Sequence, residues 1–256
     1  VFRVDIDNAN TSASTLAKRV KKVAALAGNN VATQRRFYEP PTVALFKDKS
    51  GKYFAGVGLG SGYRSHPLNE TTTDHFFVLF DYDVMRPDIL TASAASLQDL
   101  MTLSTLAAAT PGGGDVDLTG KLGWYIELPE VGEKVITSGV FFRNTLIFSS
   151  YVPSVEGGDS CSPVIGRSKL YTVCVQGGGL CGDSAEAIAV KDHAVLGLGG
   201  DPQMIVLPSC PPGATDCVDD GKSDVGIITG TDVQRFGEGM AAGLRRTRWM
   251  EKTPQN

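Results

Sequence analysis

Short apolar or alternating runs separated by turn residues recur along the whole chain, the pattern of β-strands rather than of long helices. Val1–Ile6 alternates and opens the series. Thr42–Phe46 and Lys52–Val57 flank the turn sequence Asp48-Lys49-Ser50-Gly51 and predict a hairpin. His75–Tyr82 is dense in Phe and Val, and Trp124–Leu128 is a short strand closed by a turn over Pro129–Gly132. Lys134–Phe142 and Thr145–Val152 predict a second hairpin about Arg143-Asn144, because Asn tolerates the left-handed conformation of tight turns. Lys169–Val175, Met204–Leu207, Val225–Thr229 and Leu244–Met250 complete the series.

Two stretches depart from this pattern. Ser14–Ala27, with Lys18, Arg19, Lys21 and Lys22 clustered, reads as a short helix or a basic surface segment. In Pro87–Ala109, Leu90, Leu97, Leu100, Leu103 and Leu106 fall near helical spacing and predict one helix, ended by the flexible link Pro111–Gly114. The sum is roughly a dozen short strands in consecutive antiparallel hairpins, an all-β chain of propeller or sandwich type. At about four strands per propeller blade it supplies about three blades. Asp7–Asn30, Pro87–Gly120 and Gly177–Asp201 are insertions that would form variable contact surfaces.

Composition narrows the function. Of 256 residues 42% are hydrophobic and 20% charged, enough apolar surface to fold and too much for a disordered chain. Thirty glycines and 13 prolines agree with many turns. With 24 Lys and Arg against 28 Asp and Glu, the net charge of −4 argues against nucleic acid as a partner. No apolar stretch approaches the roughly 20 residues of a membrane-spanning helix. The chain opens directly in a strand, with neither an initiator Met nor a signal peptide, which suggests a fragment of a longer protein.

Several motifs carry possible chemistry. Gly56-Val-Gly58-Leu-Gly60-Ser-Gly62 follows a strand as a dinucleotide-binding loop should, but Pro67 forbids the helix that would hold a pyrophosphate. These glycines instead let a strand pass close to its neighbours. Gly158-Asp159-Ser160 resembles a protease nucleophile turn, yet it continues Cys-Ser-Pro, and His66, His75 and His193 lie in no catalytic context. The run from Asp216 through Asp219, Asp220 and Gly221 to Asp224 resembles a calcium loop with Val218 at a ligand position; a plain acidic turn fits it better. Arg64, His66 and Asp74 flank one loop and read as loop-fixing residues, with an Arg64–Asp74 ion pair expected. No catalytic, cofactor or metal site is assigned. Cys174 and Cys181, and Cys210 and Cys217, are each seven apart across Gly- or Pro-rich segments, so each pair could close a disulfide loop. That leaves Cys161 over; buried free thiols are the alternative.

Read together, several runs resemble the PilY/PilC-type tip proteins of type IV pili. They are Gly60-Ser-Gly-Tyr-Arg64-Ser-His66-Pro67-Leu68, Asp74-His-Phe-Phe-Val-Leu79, Gly123-Trp124-Tyr-Ile-Glu-Leu128 continuing through Gly132-Glu133-Lys134-Val135, Ser150-Tyr151-Val152-Pro153, and Arg245-Arg-Thr-Arg-Trp249. The resemblance spans Val1 to Lys252, leaving 253–256 as a tail, and implies the C-terminal part of a modified seven-bladed β-propeller. It further implies a secreted or cell-surface, non-enzymatic protein at the pilus tip, supporting pilus assembly, retraction control and adhesion. Its partners would be minor and major pilins, a host or abiotic surface, and the N-terminal part of the same protein. Family members bind calcium on a loop that would precede Val1, so no cofactor is expected in this chain. A secreted enzyme on a propeller scaffold and a carbohydrate-binding module are the competing readings. The latter needs exposed aromatics, whereas Trp124 and Trp249 look like core.

Overall fold

The computed structural model describes residues 1–111, 115–153, 165–177, 189–192, 197, 199–208, 223–229 and 232–240. It is all-β, and its strands form consecutive, almost wholly antiparallel sheets. The chain divides into two compact units, Val1–Pro202 with Thr229–Thr231, and Gln203–Ile228 with Asp232–Asn256. Among the described residues no helix is long and apolar enough to cross a membrane.

Among the described residues the first unit holds three sheets. β1 (Phe2–Ile6) and β2 (Ala17–Lys22) form a two-stranded ribbon. β3 (Thr42–Lys47), β4 (Tyr53–Gly60), β5 (His75–Asp81), β6 (Ala107–Ala109) and β7 (Gly123–Glu127) form a five-stranded sheet of order β3-β4-β5-β7-β6. Its β6–β7 pair is parallel. β8 (Val140–Phe142), β9 (Thr145–Val152), β10 (Arg167–Cys174) and β11 (Ala189–Asp192) make a four-stranded antiparallel meander. In the second unit β12 (Gln203–Pro208), β13 (Ser223–Thr229) and β14 (Asp232–Met240) form a three-stranded sheet.

The five-stranded sheet is buried on both faces, which explains why β5 is an unbroken apolar run. Phe76, Val78, Phe80, Trp124 and Ile126 pack on one side against Leu146, Phe148, Tyr171 and Val173 of the four-stranded sheet. The Phe76 and Phe148 rings stack 4.0 Å apart, and Phe148 stacks on Tyr171 at 4.7 Å. Leu59, Phe77 and Leu79 point the other way and meet Val23, Ala24, Leu26, Met101 and Leu106. Gly56, Gly58 and Gly60 lie on the first face, and a Cβ at each would come within 3 Å of Phe46, Thr42 and Val135 respectively. The glycine run therefore makes room for core side chains, as its close-approach reading requires.

Several expectations change. Pro87–Ala109 is not a helix: it holds single 3-10 turns at Ala94–Ser96 and Leu103–Thr105 and then β6. Leu97, Leu100, Leu103 and Leu106 recur every three residues, not at 3.6, and the intervening hydroxyls bond the backbone locally. Ser96 Oγ donates to Ser93 O, and Thr105 Oγ1 to Thr102 O. Ser14–Ala27 contains β2, not a helix, because Arg19 and Lys21 alternate inward: Arg19 reaches Asp5 and Ala92 O, and Lys21 reaches Gln98 O. In the second hairpin β8 starts only at Val140, and the left-handed residue is Arg143 (φ 55°), not Asn144. Leu244–Met250, including Trp249, lies outside the described residues.

Candidate functional site

The connection from β4 to β5 lies at one end of the sheets, beside the segment before β3, the turn after β7 and the exit of β9. This is where most of the quoted runs converge. Ser61 N donates to His75 O, and its hydroxyl donates to Asp74 Oδ1 at 2.6 Å while accepting His75 N. Val135 N donates to Ser61 O, and Lys134 pairs with Tyr151 through both backbone groups. Four runs that are separate in the sequence thus form one hydrogen-bonded unit.

Its interior is polar and buried. Lys134 is only 1% exposed, and its ammonium donates to Pro67 O, Asn69 O and Gly132 O. Burial lowers its pKa from the usual lysine value, against the attraction of Asp74 and Glu70. Neighbouring Glu133 is equally buried and accepts from Ser150 Oγ at 2.5 Å and Tyr171 Oη at 2.7 Å. Burial, then the Glu133 charge, pushes the Tyr171 phenol far above its ordinary range. At the rim Glu130 pairs with Arg167 and Lys169. Glu133 and Lys134 had no assigned role in the sequence; charged residues are expected at the surface, and only their place in a quoted run marked them.

Arg35 is a second buried cation. Its Nε donates to Thr73 O and to His75 Nδ1 at 3.1 Å, and its Nη1 donates to Leu26 O. Arg35 Nη2 lies 3.2 Å from His75 Nε2 as well, so the guanidinium faces both ring nitrogens, and Nε2 is 3.5 Å from the Glu127 carboxylate. His75 stacks on Phe77 and Tyr125. Burial and then the Arg35 charge lower its pKa from 6.5 to about 4. Between those values the unfolded chain binds a proton that the folded chain refuses, so stability falls as pH drops from 6.5 towards 4. At about 1.4 kcal/mol per pH unit the loss is about 3 kcal/mol. Urea titrations at pH 7 and pH 4.5 should show this slope in the native chain and not in His75→Gln. Asp74, raised by burial, acts in the opposite sense and is common to both proteins.

The expected Arg64–Asp74 ion pair does not form. Asp74 faces Ser61 in the interior, and exposed Arg64 pairs with Glu39 from the neighbouring segment. Around Arg64 the surface is aromatic: the Arg36 guanidinium lies 3.7 Å over the Tyr63 ring, His66 stacks on Tyr63 at 4.5 Å, and Tyr38 stacks at 6.4 Å. His66 and His75 thus differ wholly in environment, one exposed and one buried. The opposite end of the sheets carries a cleft of about 570 Å³, with Phe80 and Tyr82 beneath and Asp48, Lys49, Asp117 and Lys121 around it. Both carboxylates already accept bonds from their own turns: Asp48 from Ser50 and Lys52, Asp117 from Thr119.

Among the described residues no group of three or more His, Cys, Asp or Glu side chains could hold a metal ion. Gly158-Asp159-Ser160, His193 and the Asp216–Gly221 part of the acidic run lie outside the described residues. Cys174 is disulfide-bonded, but Cys161, Cys181, Cys210 and Cys217 also lie outside them, so both seven-residue pairings are untested. No family model, no curated protein and no solved structure matches the chain.

Proposed function

We propose that the chain is a non-enzymatic module of a type IV pilus tip protein, the C-terminal part of a modified seven-bladed β-propeller that works through protein contacts. The observation that carries this reading is the convergence just described. The runs Gly60–Leu68, Asp74–Leu79, Gly132–Val135 and Ser150–Pro153 resemble the tip-protein pattern in order, and their residues meet in one polar layer. Consecutive meanders packed face to face are the blade arrangement of a propeller. The β1–β2 ribbon also turns Phe2, Val4, Ile6 and Val20 outward, with Lys18 and Lys22 beside them, and Arg3, Asp5, Arg19 and Lys21 inward; the outer face is the one a neighbouring blade would cover.

On this reading the module stands at the cell surface and contacts minor and major pilins. Calcium would act on a loop preceding Val1. Deleting the gene in the source organism and measuring sheared surface pilin tests the proposal, together with cross-linking of the tagged protein to pilins. Loss of surface pilin, restored by the intact gene, and cross-links to minor pilins are expected. Undiminished piliation without pilin cross-links, or hydrolytic turnover by the purified chain, would overturn it.

A further inference from the structure

We infer that the surface cluster of half-buried Arg36 and Tyr63 with exposed Tyr38, Arg64 and His66 is a binding platform for a carboxylated polysaccharide. The cluster stands on two segments fixed from beneath. Arg35 ties the segment before β3 to Leu26 O and Thr73 O, and Gly62 N donates to Arg36 O. Lys134 holds Pro67 and Asn69 by their carbonyls, and His66 N and Asn69 N close the turns of the loop on Tyr63 O and His66 O. Two buried cations are a costly way to hold a loop that merely connects two strands. They make sense where the outer side chains must keep a fixed geometry, since pre-organisation removes the ordering cost of binding.

The outer side chains suit one ligand chemistry. Tyr38 is 47% exposed and His66 is exposed beside it, so ring surface is open to the apolar C–H face of a sugar. Arg36 is stacked on Tyr63, and among the described residues no carboxylate lies in ion-pair contact with it, although Asp74 beneath feels its charge. A guanidinium held flat in this way offers a fork of N–H donors that fits a carboxylate. Ring faces and an unpaired guanidinium together describe a sugar acid, a uronate or a sialate. The tryptophan-based objection to carbohydrate binding does not apply, because tyrosines supply the platform. This inference does not rest on the pilus reading, and either can fail alone.

The test is biolayer interferometry of the intact chain on immobilised polygalacturonate, polysialate, dextran and polyglutamate. Binding to at least one carboxylated polysaccharide is expected, about tenfold or more tighter than to dextran or polyglutamate. Tyr38→Ala and Arg36→Gln should each weaken it about tenfold or more without a change in melting temperature. Which sugar acid binds identifies the source. Binding to neither, equal binding to polyglutamate (charge alone, as for an acidic protein partner), or indifference to both substitutions overturns the proposal.

Discussion

Trp124→Ala is expected to lower the free energy of unfolding of the first unit by about 3–5 kcal/mol, the range for deleting a large buried aromatic. Trp124 is fully buried on β7 between the five-stranded and four-stranded sheets, and its Nε1 donates to Val175 O at 2.7 Å. Alanine leaves a cavity where the sheets meet and orphans the carbonyl, adding to the loss. At about 2–4 °C per kcal/mol for a unit of this size, melting should drop by roughly 10 °C. Trp124→Phe separates the two contributions, since it keeps most of the volume and loses only the N–H donor. Its cost should lie well below that of alanine in urea unfolding. If alanine cost less than phenylalanine, or less than about 1 kcal/mol, the packing account of this sheet pair would be wrong.

Trp124 was legible as core because it sits in an apolar run bounded by Gly123 and Pro129, and β3, β4, β5 and β9 were legible for the same reason. The Asp48–Gly51 turn also follows from its residues: Asp48 Oδ1 accepts from both Ser50 and Lys52 backbone N–H groups, the local bond that makes Asp a turn former. What failed did so where charge or spacing pointed the wrong way. In β2 the inward positions are Arg19 and Lys21, facing Asp5 and Gln98, so the alternation that marks a strand is carried by cations. From Leu97 to Leu106 the leucines of Pro87–Ala109 follow a period of three, which a count of apolar residues mistakes for a helix.

Lys134 and Glu133 were the hardest to foresee. Whether Lys134 is buried depends on three carbonyls, two of them some 65 positions back in the chain, at Pro67 and Asn69. No local pattern encodes that. The Arg64–Asp74 pair failed similarly: the two residues are close in sequence, but β5 begins right after Asp74 and turns it inward, leaving Arg64 to Glu39.

Lys134→Met is therefore expected to be among the most costly single changes in the chain. Methionine keeps much of the volume but donates no hydrogen bonds, leaving the carbonyls of Pro67, Asn69 and Gly132 without their shared ammonium. Each orphaned buried group costs about 1–3 kcal/mol, offset in part because the ammonium no longer has to be desolvated, for a net loss of about 2–4 kcal/mol. Asp74 also loses an attraction that lowers its pKa, so its carboxyl should rise further. Amide exchange at His66 and Asn69 should accelerate, since their turns rest on the same loop. Arg64→Gln is the contrast: it removes a cation from the same run, but at the exposed pair with Glu39, for less than about 1 kcal/mol. Urea unfolding of the two variants side by side decides whether Lys134 is a structural lock. A Lys134→Met chain as stable as the native one, with unchanged amide exchange in the loop, would mean that the ammonium does not lock the loop.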